Sequence, residues 1–227
     1  MQAFQGSLLD QVPADDHDPA VGDARTSGAQ VGGVRIGALG DRVHRTELGD
    51  GAWVDLRPDW VRGSDELFLR LVDAVPWQSE RRRMYDRMLD VPRLVRFYRT
   101  GEQLPDPALV RLRDALSRHY ADELGEPFTS AGMCLYRDGD DSVAWHGDRN
   151  GRATSQDTMV AIVSFGSPRR LSLRPKGGGA QLAFTVGHGD LLVMGGSCQR
   201  TWEHAVLKTA RPVGPRISVQ FRPRGVS

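Results

Sequence analysis

Eight short runs rich in β-branched and other apolar residues, crowded between positions 130 and 221, constrain this chain more than any other feature. They cover 130–136, 142–146, 158–165, 170–174, 181–186, 190–194, 200–206 and 216–221, with Gly, Asp, Pro or Asn in the intervals. Runs of that length at that spacing predict a closed or sandwich-like, mainly β core. Gly177-Gly178-Gly179 and Gly187-His188-Gly189 mark loops or tight turns within it.

Two helices are expected ahead of the core. Ser64 can cap one that runs to Val75, with Asp65 and Glu66 in its first turn and Leu67, Leu71 and Val75 on one face. Asp106-Pro107 opens the second, because Pro at the first helical position gives up no hydrogen bond. Val110, Leu112, Leu116 and Leu124 then recur until Gly125 stops the run. The arginine-rich segment 81–98 reads as irregular. Residues 10–33 mix Asp, Gly, Ala, Pro and Gln and cannot bury enough surface to offset their ordering entropy. Residues 1–50 are therefore expected to form a flexible extension with a short strand near 31–36. Residues 51–105 then hold the first helix and the arginine-rich segment, and 106–227 the second helix and the β core.

A chain of 227 residues that is 39% hydrophobic suffices for one sizeable domain with appendages. Lys+Arg 30 against Asp+Glu 29 leaves a net charge of +1, which excludes a strongly basic chromatin-type protein and an acidic solvating chain. No apolar run approaches the roughly 18 residues of a membrane span, so no membrane partner is expected. Residues 1–10 lack the basic and apolar regions of a secretory leader, and two cysteines cannot build a disulfide framework. A reducing, cytoplasmic compartment is the expectation.

Six histidines are present. His17 and His44 fall in the expected extension, His119 in the second helix and His188 in a glycine-flanked turn, and none of these receives a chemical role. In His146-Gly147-Asp148 the imidazole and carboxylate lie two positions apart, on one side of a strand, where they can share a metal. His204 follows near the end of another expected strand. Two histidines and one carboxylate on a β scaffold make the facial triad of non-haem Fe(II) oxygenases, which leaves positions open for a co-substrate and O₂.

The last run supplies independent support. Alternation puts Arg216, Ser218, Gln220 and Arg222 on one face and Ile217, Val219 and Phe221 on the other. A guanidinium turned into a β core is costly unless an anion pairs with it, and it binds carboxylate in a planar, bidentate manner. A metal triad beside two such arginines suits 2-oxoglutarate. The plainer reading is an edge strand whose arginines meet solvent.

The chain resembles the AlkB family of Fe(II)/2-oxoglutarate-dependent dioxygenases from about Pro76 to Arg222. The resemblance lies in Leu135-Tyr136-Arg137, Trp145-His146-Gly147-Asp148, Val163-Ser164-Phe165-Gly166, His188-Gly189-Asp190-Leu191-Leu192-Val193-Met194, Trp202-Glu203-His204 and Pro215-Arg216-Ile217-Ser218-Val219-Gln220-Phe221-Arg222. It implies a double-stranded β-helix (jelly-roll) core with flanking N-terminal helices and a nucleotide-recognition lid within 51–105. It further implies that His146, Asp148 and His204 hold Fe(II) and form the catalytic centre. Tyr136, Arg216, Ser218 and Arg222 then bind 2-oxoglutarate, Arg216 at the distal carboxylate and Arg222 nearer the chelating end. The implied reaction uses O₂ to hydroxylate an N-alkyl group on a base of alkylated DNA or RNA, releasing an aldehyde, succinate and CO₂. A monomer is expected.

Three positions depart from the family pattern. Cys134 and Ser218 stand where the family usually carries Asn, which removes amide contacts to the co-substrate while leaving the charge pairing. Asn150 stands where repair enzymes often place Asp or Glu beside the cationic base. In the lid, Tyr85 falls where the demethylases carry a base-stacking aromatic, and Arg83 and Arg87 can contact phosphates or the nucleotide. The alternative for this segment is a solvated charged surface with Met84, Met88 and Leu89 turned inward. Cys198 is expected to be a loop thiol and Glu203 a surface group. Two other functions stay open: an AlkB-like hydroxylase of a small molecule or protein side chain, and a non-catalytic β module that binds nucleic acid or a partner.

Overall fold

A computed structural model describes residues 33–84, 87–147 and 151–226, with backbone alone for 80–84 and 87–91. Tyr85, Asp148 and Asn150, and the side chains of Arg83 and Arg87, lie outside the described residues. In chain order the strands are β1 (Arg35–Ile36), β2 (His44–Gly49), β3 (Ala52–Arg57), β4 (Val61–Arg62), β5 (Gln78–Met84), β6 (Arg87–Tyr98), β7 (Phe128–Tyr136), β8 (Val143–His146), β9 (Val160–Gly166), β10 (Arg169–Pro175), β11 (Leu182–Val186), β12 (Leu191–Gly196), β13 (Trp202–Val206) and β14 (Arg216–Pro223). The helices are α1 (Asp65–Ala74), α2 (Pro107–His119), α3 (Ala121–Leu124) and α4 (Cys198–Thr201). Among the described residues no helix is long and apolar enough to cross a membrane.

The strands expected from the eight runs, β7 to β14, wind into a jelly roll. One sheet runs β2-β3-β12-β9-β14-β7-β6-β5, and a smaller one runs β11-β10-β13-β8. Period-two alternation decides what each face meets. On β9, Ala161, Val163 and Phe165 join Leu67 and Leu71 of α1 and Leu109, Leu112 and Leu116 of α2 in one buried cluster. Val160 and Ile162 of the same strand instead pack with Leu171, Leu173, Trp202 and Val206 of the small sheet. The large sheet is thus covered by helices on one side and by the small sheet on the other. Each fully buried Leu or Phe here contributes about 1.5–3 kcal/mol, and truncating Leu112, with no exposed surface, would cost about 2–5 kcal/mol.

On β14, Ile217, Val219 and Phe221 take the helix side, so Arg216, Ser218, Gln220 and Arg222 face the small sheet. This turns polar residues into the space between the sheets, and it positions the site.

Several expectations need correction. The extension expected over residues 1–50 does not persist to residue 50: β1 pairs with β4, and β2 is the edge strand of the large sheet. His44 belongs to that strand. Asp50 and Gly51 connect β2 to β3 with φ of 52° and 75°, the two positive angles that a tight Asp-Gly hairpin requires. Segment 81–98 is not irregular; it forms most of the β5–β6 hairpin, whose Leu94–Tyr98 portion pairs with β7. The Asp106 carboxylate caps α2, accepting from Ala108 N at 2.8 Å. That helix stops at His119, and α3 carries the chain to Gly125 at φ 75°. Ser64 does not cap α1 with its side chain, because its Oγ bonds to Nε2 of His188 at 2.7 Å. Residues 200–201 belong to the turn α4, and Cys198 is buried there rather than lying in an open loop.

Candidate metal and co-substrate centre

β13 and β8 are antiparallel neighbours, and their register sets His204 opposite His146. The two imidazole rings stand 4.3 Å apart, centroid to centroid. Burial holds His204 well below the usual histidine range, and the charges of His146 and Arg222 push the same way. His204 is therefore a neutral imidazole near neutral pH, with a lone pair to offer. Nδ1 of His146 lies 2.8 Å from the Ala144 carbonyl. That contact requires Nδ1–H as donor, which leaves Nε2 as the ring nitrogen able to ligate. A ligating histidine is commonly fixed in this way. Two imidazoles brought this close, their planes tilted by 54°, suit Fe(II) among the divalent ions.

Gly147 carries the chain out of β8 under tight constraint. A Cβ there would stand 3.0 Å from the Trp202 carbonyl oxygen and 3.2 Å from that of Gln199. The residue between His146 and Asp148 thus rests directly on the backbone that leads into His204. Asp148, the third expected ligand, lies outside the described residues.

The opposite wall comes from β14 and β7. Arg216 is 2% exposed and faces Tyr136 in register. Its Nε donates to Ser164 Oγ at 2.8 Å, while Nη1 is buried without a hydrogen-bond partner. Among the described residues no carboxylate pairs with it. A buried guanidinium in that condition costs several kcal/mol until an anion arrives, so the orphan nitrogen fits a carboxylate that comes from outside the chain. Burial lowers the Arg216 pKa and raises that of Tyr136 far above its usual value. The phenol therefore keeps its proton and can donate it in a hydrogen bond.

Ser218 faces Cys134 across the two strands, and its Oγ accepts from Gln220 Nε2 at 2.6 Å. Arg222 fills the space over Gly132, where a Cβ would come within 2.7 Å of Nη1. It is also the arginine whose charge acts on His204. The structure thus brings His146, His204, Tyr136, Arg216, Ser218 and Arg222 to the space between the sheets. The backbone of Arg83 and Arg87 lies near the tip of the β5–β6 hairpin. A surface cleft of about 460 Å³, lined by Arg113, Ser117, Arg118 and Phe128 among others, lies against α2 and shares no residue with the centre.

Sequence reasoning missed three supporting residues. Arg169 is buried, donates to the carbonyls of Asp138, Asp141 and Leu207 at 2.8–2.9 Å, and holds its guanidinium carbon 5.6 Å from the Tyr136 ring. His188 accepts the Gly166 N–H at Nδ1, 2.8 Å away, and so pins the residue paired with Arg216. Ser164 holds the guanidinium of Arg216. Only the inward place of Ser164 on its alternating strand gave a sequence signal. Glu203, expected to be a surface group, is partly exposed and pairs with Arg174 at 2.8 Å.

The family profile described as the 2OG-Fe(II) oxygenase superfamily matches residues 63–222. The chain is 30% identical over 190 residues to alpha-ketoglutarate-dependent dioxygenase alkB homolog 3 of Bos taurus, covering 73% of this chain and 65% of that protein. It is 33% identical over 134 residues to DNA oxidative demethylase ALKBH2 of Arabidopsis thaliana, covering 49% and 42%. The chain thus spans at most about two-thirds of the length of these curated relatives. Among solved structures, OsALKBH1 superposes with a TM-score of 0.53 at 13% identity, over 80% of this chain and 100% of that one. A prolyl hydroxylase of Trichoplax adhaerens gives 0.55 at 11% identity, over 75% and 83%. At those identities the structural likeness speaks for the fold alone.

Proposed function

The chain belongs to the 2OG-Fe(II) oxygenase superfamily, and from that premise we propose that it is a dioxygenase removing N-alkyl groups from the bases of alkylated DNA or RNA. One observation carries the oxygenase part: Arg216, whose buried Nη1 has no partner, turns from β14 toward the small sheet that holds the His146–His204 pair. The nucleic-acid part is supported by relatives named for DNA oxidative demethylation and by the arginine-rich hairpin beside β7.

His146, His204 and Asp148 would hold Fe(II). Arg216 would take the distal carboxylate of 2-oxoglutarate in a bidentate pair, with the Tyr136 hydroxyl donating to the same end. Arg222 would sit toward the metal. Bound iron and 2-oxoglutarate together supply an oxidation by O₂ that hydroxylates the alkyl carbon and turns the diacid into succinate and CO₂. Leu171, Leu173, Ile162 and Leu192 line the cluster between the sheets and keep bulk water from the reacting groups, which strengthens every charge interaction inside. β6 continues past its last partner on β7 by the length of residues 87–93, about 20 Å at strand rise. Such an arm can reach a polymer whose target base has been turned out of its stack.

An aerobic assay with Fe(II) and 2-oxoglutarate over a panel of alkylated DNA and RNA oligomers tests this. Loss of the alkyl mass with matching aldehyde release is the expected result. Diacid turnover that no oligomer alters would assign a small molecule or protein side chain as substrate instead.

A further inference from the structure

Cys134 stands on β7 opposite Ser218, one inward place from Tyr136, which itself faces Arg216. Alternation sends Cys134 and Tyr136 to the same face, and both belong to the cluster between the sheets. Across from the sulfur is a short side chain whose hydroxyl is already engaged by the Gln220 amide. Cys134 is a free thiol and only half-buried, whereas Cys198 is 2% exposed. A separate sign of a ligand lies beside it: Arg216, 2% exposed and on the same inner face of β14 as Ser218, keeps a buried guanidinium nitrogen without a partner.

Resting on the reading of Arg216 as the anchor of the diacid, we infer that Cys134 forms a wall of the co-substrate seat and is a thiol-modification site, so that a group on its sulfur and 2-oxoglutarate exclude each other. The exclusion is reciprocal by linkage: whatever the diacid does to modification, modification does to diacid binding. With iodoacetamide the sulfur forms an S–C bond as the C–I bond breaks; iodide leaves and the thiol proton passes to solvent.

The full chain, loaded with Fe(II) under anaerobic conditions, is treated with iodoacetamide, and labelling of each cysteine is followed by peptide mass spectrometry. Binding of 2-oxoglutarate is measured separately by equilibrium dialysis. At a diacid concentration about ten times its Kd, Cys134 labelling slows about tenfold, because only the empty seat reacts. Cys198 stays unlabelled throughout. Protein labelled at Cys134 no longer retains the diacid, whereas diacid binding by Cys134→Ser is insensitive to the reagent. Unchanged labelling while dialysis shows bound diacid overturns the inference and leaves Arg216 as anchor. Absence of diacid binding to untreated protein overturns the anchor, and this inference with it.

Discussion

The ring of Tyr136 lies 5.3 Å from the guanidinium carbon of Arg216, and the two residues face each other in register across β7 and β14. Tyr136 bonds to the guanidinium but, held protonated by burial, does not neutralise it, and the arginine keeps a buried nitrogen without a partner. Removing that charge has opposite effects on the two forms of the protein. Replacing a buried ion by an apolar group of similar volume is often neutral or stabilising by about 1–4 kcal/mol. Arg216→Met should therefore melt at or above the wild-type temperature without co-substrate. Its affinity for 2-oxoglutarate should fall by about 2–5 kcal/mol, roughly 30- to 4,000-fold. Melting curves with and without the diacid read both effects. Wild-type affinity in this variant would remove Arg216 from the seat.

His188 ties two elements that sequence periodicity treats separately. It accepts from the Gly166 N–H and bonds to Ser64 at the start of α1. His188→Phe keeps a ring but strands a backbone donor and a hydroxyl. An unsatisfied buried group costs about 1–3 kcal/mol, so the urea midpoint should drop with an unchanged slope. Because Gly166 is the partner of Arg216 on β9, diacid affinity should weaken too. A variant as stable as wild type would show that the two bonds contribute nothing net.

Asp141 sets an acid limit on the loop after β7. Burial favours its neutral form, but bonds from Arg137 N, Nε and Nη2, each 2.8 Å long, prevail and hold the carboxyl below the usual range. A folded pKa below the unfolded one, about 3.9, means the stabilisation is complete above that value and disappears as pH falls through the folded pKa. Arg137 is 56% exposed, so screening keeps the contribution to about 1 kcal/mol. Asp141→Asn should melt below wild type at pH 7, and the gap should close as the pH falls through the lowered pKa of the folded carboxyl. A gap that stayed constant with pH would assign the loss to packing.

How much of this was legible in the sequence depended on where the charges went. β7 to β14 announced themselves because their buried places are apolar and glycine or proline separates them. β3 hid because Asp55, 3% exposed, occupies a buried place that only Arg45 and Tyr120, distant in sequence, make tolerable. β5 and β6 hid behind arginines and Pro92, whose carbonyl instead anchors Ser142 N. The histidine pair and the arginine row could be read from spacing and alternation. Arg169 could not, since an arginine whose partners are three backbone carbonyls has no pattern in the chain.

Gly147 joins the two halves of the expected metal site, which makes it the sharpest test of their dependence on one another. The carbonyls of Trp202 and Gln199 already approach the place of its missing Cβ to within 3.0 and 3.2 Å, and both belong to backbone that cannot swing aside like a side chain. Gly147→Ala must push the end of β8 away from β13, separating the His146 ring from that of His204. Most of the fold is remote from this contact, so melting should change by only a few degrees. Metal affinity depends on ligand placement to a fraction of an ångström and should fall by about 10- to 100-fold, the range seen when groups that orient ligands are lost. Titration with Fe(II) under anaerobic conditions, beside a melting curve, separates the two. A variant with a lowered melting point and undiminished metal affinity would mean that Gly147 serves packing alone and that the ion, if bound, does not depend on this junction.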